Sequence, residues 1–201
     1  MPVMSTIEQA FCRSAPWRRF TERVVVPWVL EDRELAGDAL ELGAGSGAMA
    51  ADLLRRFPNA RLVAVDVDEH MLVASRRRLS SYAGRAGVAS ADAAALPFAA
   101  GTFDAVLSFI MLHHVIRWEA ALEESFRVLR PGGLLLGYDL VRSAPTSLLH
   151  RLDRSPHLLA SGAELLACLQ ALGYETVTVR SALAGLVVRF SARRPAAWTE
   201  T

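Results

Sequence analysis

The segment Glu41-Leu42-Gly43-Ala44-Gly45-Ser46-Gly47 lies where a short apolar run ends and a helical pattern begins. The run before it, Ala39–Leu42, is typical of a buried strand, and the helix that follows is expected to end near Phe57, before Pro58. Glycine adopts positive φ angles at little steric cost and lets a ligand approach the backbone closely. The start of the next helix presents unpaired N–H groups. This unit predicts a ligand site at the carboxyl end of a parallel strand.

Downstream, short apolar runs keep alternating with helical patterns, which predicts a parallel α/β sheet. The predicted strands are Arg61–Asp66, Ala86–Ser90, Ala105–Ser108 and Leu134–Tyr138. The predicted helices run from Asp68 to Ser81, from Trp118 to a stop at Pro131-Gly132-Gly133, and around Leu165–Leu172, ended by Gly173. In the first of them Asp68 is the expected N-cap, and the residues expected on one face are Met71, Leu72, Ser75 and Leu79.

Near the end of the chain the alternation of strand and helix patterns stops. Glu175–Val179 and Gly185–Ala192 read as two strands with no room for a helix between them. They must pair antiparallel, because a parallel crossover needs about a dozen or more residues. The predicted fold class is therefore α/β, with a mostly parallel seven-stranded sheet and an antiparallel C-terminal strand.

The bulk composition is that of one globular domain. Of 201 residues, 52% are hydrophobic and 21% are charged. The formal net charge of +1 shows no excess of basic residues that would indicate binding to nucleic acid. Cys12 and Cys168 have neither CxxC nor zinc-ligand spacing, which predicts reduced cysteines and no metal site. We find no apolar run of about 18 residues and no signal-peptide pattern, so we expect no membrane span and a cytoplasmic protein.

The glycine-rich segment fits two adenosine cofactors. Gly43-x-Gly45-x-x-Ala48 satisfies the fingerprint of dinucleotide-binding enzymes. Asp66 stands at the end of the second predicted strand, where a carboxylate can accept hydrogen bonds from both ribose hydroxyls. NAD and S-adenosylmethionine share that ribose, so the loop and Asp66 alone leave the cofactor open.

Further motifs follow in a fixed order. They are Ala91-Asp92-Ala93-Ala94-Ala95-Leu96-Pro97-Phe98, Gly101-Thr102-Phe103-Asp104, Ser108-Phe109-Ile110-Met111-Leu112-His113-His114-Val115 and Arg127-Val128-Leu129-Arg130-Pro131-Gly132-Gly133. In this order and spacing, residues 38–140 resemble the class I, Rossmann-like S-adenosylmethionine-dependent methyltransferases of the small-molecule type. The resemblance implies methyl transfer to a small organic molecule, with S-adenosylhomocysteine as the product.

The resemblance also implies roles at the methionine end of the cofactor. The backbone of Gly43, Ala44 and Gly45 would face the methionine part. Glu41 would orient its ammonium group, directly or through water. The carbonyl of Ser108 would accept a hydrogen bond from the same ammonium.

At the nucleoside end, the resemblance implies that Asp66 binds the ribose hydroxyls. Val67 and Met71 would pack on the adenine. Asp92 would accept a hydrogen bond from the adenine amino group, and the N–H of Ala93 would lie at the ring edge.

The acceptor side is less defined. Methyl transfer from a sulfonium is an in-line displacement, in which the main task is to hold the acceptor at the right distance and angle. A general base helps only where the acceptor has a proton to lose. His113 and His114 are candidates for that base or for an acceptor ligand, because histidine is half deprotonated near neutral pH. Tyr138 and Asp139 are the next candidates.

Residues 38–201 are expected to form the cofactor-binding domain. Residues 1–37 are expected to form a helical segment, broken at Pro16 and Pro27, that covers the active site. The expected partner is a small-molecule methyl acceptor, without nucleic acid or membrane, in a monomer or homodimer. Whether oxygen, nitrogen or carbon is methylated stays open.

Two other functions stay open as alternatives. A nicotinamide-dependent oxidoreductase would share the glycine-rich segment, but the chain has no Tyr-x-x-x-Lys pair and no lysine at all. A non-catalytic S-adenosylmethionine-binding partner subunit would be favoured if side chains filled the acceptor pocket.

Overall fold

The computed structural model describes residues 19–31, 33–141 and 160–196. Cys12 and Pro16 lie outside these ranges. The helices are α1 (Val26–Leu30), α2 (Ala48–Arg56), α3 (Glu69–Leu79), α4 (Trp118–Val128) and α5 (Gly162–Ala171). The strands are β1 (Gly37–Leu42), β2 (Ala60–Asp66), β3 (Ala86–Ser90), β4 (Phe103–Phe109), β5 (Leu129–Leu140), β6 (Glu175–Ala182) and β7 (Val187–Arg193).

The strands form one seven-stranded sheet in the order β3-β2-β1-β4-β5-β7-β6. Strands β1 to β5 pair in parallel, and β7 pairs antiparallel with both β5 and β6. The predicted fold class is confirmed, including the antiparallel strand at the end of the chain. The strand order reverses between β1 and β4, and α/β sheets bind ligands at the carboxyl ends of strands beside such a reversal.

Helix α3 forms as the sequence predicts. Asp68 is its N-cap, and its side chain accepts from the N–H of His70 at 2.8 Å and of Met71 at 3.4 Å. Such a cap satisfies N–H groups that have no intrahelical partner. The buried face consists of Met71, Leu72, Ser75 and Leu79.

The boundary between α4 and β5 differs from the prediction. Helix α4 ends at Val128 rather than at Pro131-Gly132-Gly133, and β5 begins at Leu129 and contains that segment. The register with β4 shifts across it. Pro131 has no N–H to donate, and Gly132 has a φ of +79°, so the segment leaves the ladder locally while the strand direction is kept.

Pro27 does not break the N-terminal helix, contrary to expectation. A π-helical turn at Thr21–Val25 runs directly into α1, which holds Pro27 in its first turn. Proline fits there because its ring fixes φ near the helical value of about −65°. Helical structure instead ends at Glu31, whose φ is +47°.

Helix α1 is fastened to the last strand of the sheet. Arg189 of β7 donates to the carbonyl oxygen of Trp28 at 2.6 Å and forms an ion pair with Glu31. Val26 and Val29 are fully buried in the same apolar cluster as Leu107 of β4. The N-terminal helix therefore packs on one face of β4, β5 and β7.

Across the described ranges, no helix is long and apolar enough to cross a membrane. The same ranges hold no group of three or more His, Cys, Asp or Glu side chains that could bind a metal ion.

Candidate functional site

The glycine-rich loop between β1 and α2 is tied to the end of β2. Gly43 and Gly45 have φ angles of +61° and +53°, which glycine adopts without strain. The N–H of Ala44 donates to the carbonyl of Val65 at 2.9 Å, and the N–H of Gly45 donates to Oδ2 of Asp66 at 2.8 Å. These bonds hold the loop over the carboxyl ends of both strands.

Asp66 is central to this arrangement. Its Oδ2 accepts from Gly45, and its Oδ1 accepts from the N–H of Asp68 at 2.9 Å. Burial raises the pKa of Asp66, and the N–H groups of Asp68 and Gly45 counteract that shift. An ionised carboxylate offers about four acceptor positions, so the side chain has room for further donors such as ligand hydroxyls.

Glu41 is a buried carboxyl group, 2% exposed, at the end of β1. Burial and the negative charge of Asp66 raise its pKa to about 8, while a hydrogen bond from the Ala50 N–H acts in the opposite direction. Within the described part of the chain, Oε2 of Glu41 has no hydrogen-bond partner. A buried polar atom without a partner is rare in proteins and marks a position where a ligand donor would fit.

The predicted nucleoside-end residues follow β2 and β3. Asp92 forms a turn in which its Oδ1 accepts from the N–H of Ala94 at 2.9 Å. Ala93 is buried, Met71 is 5% exposed in the first turn of α3, and Val67 is half-buried. The N–H of Ala91 donates to the carbonyl of Asp66 at 3.1 Å, which links the two strand ends.

Three residues to which the sequence assigned no role support these loops. Arg78 of α3 donates at 2.7 Å to both the carbonyl and the hydroxyl of Ser46 in the glycine-rich loop. Glu124 accepts from the N–H of Leu96 at 2.7 Å, and Arg127 donates to the carbonyl of Leu96 at 3.0 Å. The spacing of Glu124 and Arg127 on α4 was visible in the sequence, but their target was not.

The predicted acceptor residues separate into two groups. Nδ1 of His113 lies 2.5 Å from Oδ1 of Asp139, and the ring centroids of His113 and His114 are 4.0 Å apart. Tyr138 precedes Asp139 in β5, and successive side chains of a strand point to opposite faces. Tyr138 packs in the apolar cluster under α1, whereas Leu112, beside His113, belongs to the cluster on the other face. The two histidines and Tyr138 therefore do not form one constellation.

Tyr138 lies among aromatic side chains. Its ring centroid is 5.8 Å from that of Phe109 and 6.1 Å from that of Trp28.

Ser108 is fully buried at the end of β4, and its hydroxyl has no partner among the described residues. Glu41, Asp66, Ser108 and Tyr138 thus lie at the carboxyl ends of four parallel strands, with Asp92 just beyond the end of β3.

Comparison with known proteins gives the class. Residues 39–133 match the methyltransferase domain family. The ubiquinone/menaquinone biosynthesis C-methyltransferase UbiE of Syntrophotalea carbinolica is 30% identical over 185 residues, covering 79% of this chain and 77% of the relative. The demethylmenaquinone methyltransferase of Clavibacter sepedonicus is 32% identical over 206 residues, covering 90% of this chain and 80% of the relative.

Solved structures share the fold. The cyclase SpnF superposes with a TM-score of 0.77 at 18% identity, covering 92% of this chain and 85% of that chain. A phosphoethanolamine N-methyltransferase of Haemonchus contortus, solved with S-adenosylhomocysteine, superposes with a TM-score of 0.74 at 15% identity, covering 87% of this chain and 52% of that chain. At such identities the likeness concerns the fold alone.

The seven-stranded sheet and the loop at its carboxyl edge define a class I methyltransferase. With relatives matched over most of both chains, this chain belongs to the S-adenosylmethionine-dependent methyltransferases that act on small molecules. The family predicted from residues 38–140 is confirmed. The comparisons also decide between the two adenosine cofactors that the glycine-rich segment alone left open.

Proposed function

We propose that S-adenosylmethionine lies across the carboxyl ends of β1, β2 and β4, with its methionine part against Glu41 and its ribose against Asp66. The unpartnered Oε2 of buried Glu41 carries this proposal. An ammonium group placed there would supply the missing donor and the positive charge that a buried carboxylate requires. The residues present therefore fit the cofactor.

The glycine-rich loop supports the placement of the methionine part. A Cβ placed on Gly45 would meet no atom within 4 Å, so this side of the loop faces open space. The backbone of Ala44 and Gly45 would border the methionine part, with Gly43 beside it. The carbonyl of Ser108 would be a second acceptor for the ammonium group.

At the nucleoside end, Asp66 would accept from the ribose hydroxyls while keeping its bonds to the loop. Asp92 would accept from the adenine amino group, and the N–H of Ala93 would face the ring edge. Val67 and Met71 would pack on the adenine. When bound, the cofactor supplies an electrophilic methyl group, and the chain's task is to hold the acceptor in line with it.

The proposal predicts that cofactor binding releases a proton from Glu41. The pKa of about 8 keeps Glu41 mostly neutral at pH 7, whereas an adjacent ammonium favours the carboxylate. Affinity for S-adenosylhomocysteine should therefore rise with pH, approaching about tenfold per pH unit between roughly pH 6 and 7.5, and level off above pH 8. Calorimetry in buffers of different ionisation enthalpy would measure the released proton.

Glu41→Gln is expected to remove this pH dependence and weaken binding at pH 8. Glu123→Gln, an exposed site on α4, is the matched control and should behave as the wild type. A proton release that persisted unchanged in Glu41→Gln would contradict the role of Glu41. Binding of NAD(H), with no response to S-adenosylhomocysteine, would contradict the cofactor itself.

For the acceptor, we propose a planar, largely apolar ring bound beside Tyr138, under the N-terminal segment. Aromatic side chains favour such a ligand, because stacked and edge-to-face ring contacts add to the effect of burial. The matched relatives are named for quinone methylation, which is consistent with this chemistry. Tyr138 is then the acceptor-side residue of β5, and the described part of the N-terminal segment, residues 19–31, would cover the acceptor; residues 1–18 of the expected cover lie outside the described residues.

The acceptor proposal predicts methyl transfer to a short-chain demethylmenaquinol. Incorporation of a labelled methyl group from S-adenosylmethionine would measure it. Tyr138→Phe should raise the KM for the quinol by no more than about 10-fold if the tyrosine ring supplies packing, because the variant retains the ring. Absence of transfer to any reduced quinone would contradict the acceptor class but not the cofactor site.

We also propose that the protein acts in the cytoplasm as a monomer or homodimer. Cys168 is a free thiol, the usual state of cysteine in the reducing cytoplasm.

A further inference from the structure

The buried carboxylate of Asp139 organises the turn that follows β4. Its Oδ2 accepts from the N–H of Leu112 at 2.6 Å and of Met111 at 3.1 Å. Its Oδ1 accepts from the N–H of Leu140 at 2.7 Å and contacts Nδ1 of His113 at 2.5 Å. Asp139 is only 4% exposed, so these bonds form away from solvent. One side chain therefore fixes three consecutive residues of the turn.

The residue before this turn has a strained backbone. Ile110 has a φ of +48°, a conformation that β-branched residues rarely adopt. Its N–H donates to the carbonyl of Tyr138 at 2.9 Å. Such strain persists only where the surroundings over-determine it. Here Tyr138 and Asp139, neighbours in β5, hold the chain on both sides of the strained point.

The turn that follows β4 also contacts the glycine-rich loop. A Cβ placed on Gly43 would overlap the side chain of Met111, so this methionine packs directly against the loop backbone. Met111 is 3% exposed, and its N–H is one of the donors to Asp139. A continuous path of contacts therefore leads from Asp139 through Met111 to Gly43.

We infer that Asp139 is a positioning residue that holds the glycine-rich loop in its cofactor-binding shape through Met111. The inference rests on the cofactor site proposed above. It also assigns Asp139 a different role from the general base considered from the sequence. Both carboxylate oxygens of Asp139 already accept hydrogen bonds from the turn or from β5, so this carboxylate stabilises the backbone conformation of the turn.

Binding of S-adenosylhomocysteine, measured by calorimetry, tests the inference. Asp139→Ala should weaken binding by at least about 20-fold, because buried N–H groups lose a charged acceptor. Asp139→Asn should recover most of the affinity, to within about 5-fold of the wild type. Its amide oxygen can still accept from Leu112 and Met111, although its NH₂ loses the bond from Leu140 and can donate to His113 only when Nδ1 of the ring is unprotonated. A residue that acted only as a general base for methyl transfer would instead leave the affinity for S-adenosylhomocysteine unchanged in both variants.

Met111→Ala should weaken binding by about 5-fold or more, since it removes the contact with Gly43 and leaves Asp139 in place. Combined with Asp139→Ala, its effect should be clearly less than additive, because both changes act on one path. Leu122→Ala is the matched control: it opens the same apolar core from α4, so it should lower the melting temperature without changing affinity.

Several outcomes would overturn the inference alone. These are a folded Asp139→Ala variant that binds within about 2-fold of the wild type, an Asp139→Asn variant as weak as Asp139→Ala, and additive effects in the double variant. If Asp139→Ala does not fold, unchanged affinity in Met111→Ala decides against it. Failure of the wild-type protein to bind S-adenosylhomocysteine would overturn the cofactor site and this inference together.

Discussion

Asp66→Ala is expected to weaken the binding of S-adenosylhomocysteine by at least about 100-fold, because the variant would lose the two charge-assisted hydrogen bonds to the ribose that we propose for Asp66. It also loses the acceptor that holds the N–H of Gly45 at 2.8 Å, so the loop and the ligand are released together. Calorimetry at pH 8 measures the effect. Under that condition Glu41 is already substantially ionised, and proton linkage contributes less.

Two companion variants separate the ribose contact from general damage. Asp66→Asn keeps one acceptor oxygen and should fall between the wild type and Asp66→Ala. Asp38→Ala removes a carboxylate at the opposite end of β1, where it pairs with Arg61 and Arg130, and should leave affinity unchanged. Full affinity in a folded Asp66→Ala protein would refute the ribose assignment.

Gly137→Ala is expected to cause the largest loss of stability, about 3 kcal/mol or more of unfolding free energy. Gly137 lies in β5 opposite Ser108 of β4, in the middle of the sheet. A Cβ there would overlap the carbonyl oxygen of Ser108 and the ring of Phe190. A backbone oxygen in a central strand cannot move aside, so the sheet must open locally. Urea unfolding, followed by circular dichroism, measures the change.

Gly87→Ala is the matched control for this substitution. Gly87 also lies within a strand, β3, but its added Cβ would meet only Val63 at 3.5 Å, an ordinary contact distance. Its effect should stay within about 1 kcal/mol, in either direction, because a strand alanine restricts the unfolded chain and adds little strain. Equal destabilisation by both substitutions would show that loss of glycine as such, rather than the Ser108 contact, is responsible.

Asp66 and Ser108, the strand partner of Gly137, lie at one edge of the sheet. Asp66 and Ser108 both stand at carboxyl ends of strands, with β1 and Glu41 between them. In the proposed site, residues far apart in the chain would therefore contact a single ligand, and the pairing of the central strands holds them next to one another. Affinity is expected to be sensitive to both Asp66 and Gly137, the latter through the position of Ser108.

Much of this arrangement was predictable from the sequence, because local patterns determine it. Apolar periodicity located the buried face of α3, and Asp68 before that run identified its cap. The short gap between the last two strands determined that they pair antiparallel. The glycine-rich segment and Asp66 predicted a ligand site at the carboxyl edge of β1 and β2, and the order of the downstream motifs indicated the methyltransferase family.

What the sequence could not decide depends on contacts between distant residues. The role of Asp139 follows from its meeting with Met111 and Leu112, 27 or 28 positions away in the chain. The separation of Tyr138 from His113 follows from the alternation of side chains in β5, whose register is shifted near its start. Which side chain accepts a given hydrogen bond, and which face of the sheet a residue lies on, are determined only when the strands pair. The sequence by itself thus determined the fold class and the family and predicted the cofactor edge, and the tertiary structure decided which acceptor-side residues face each other.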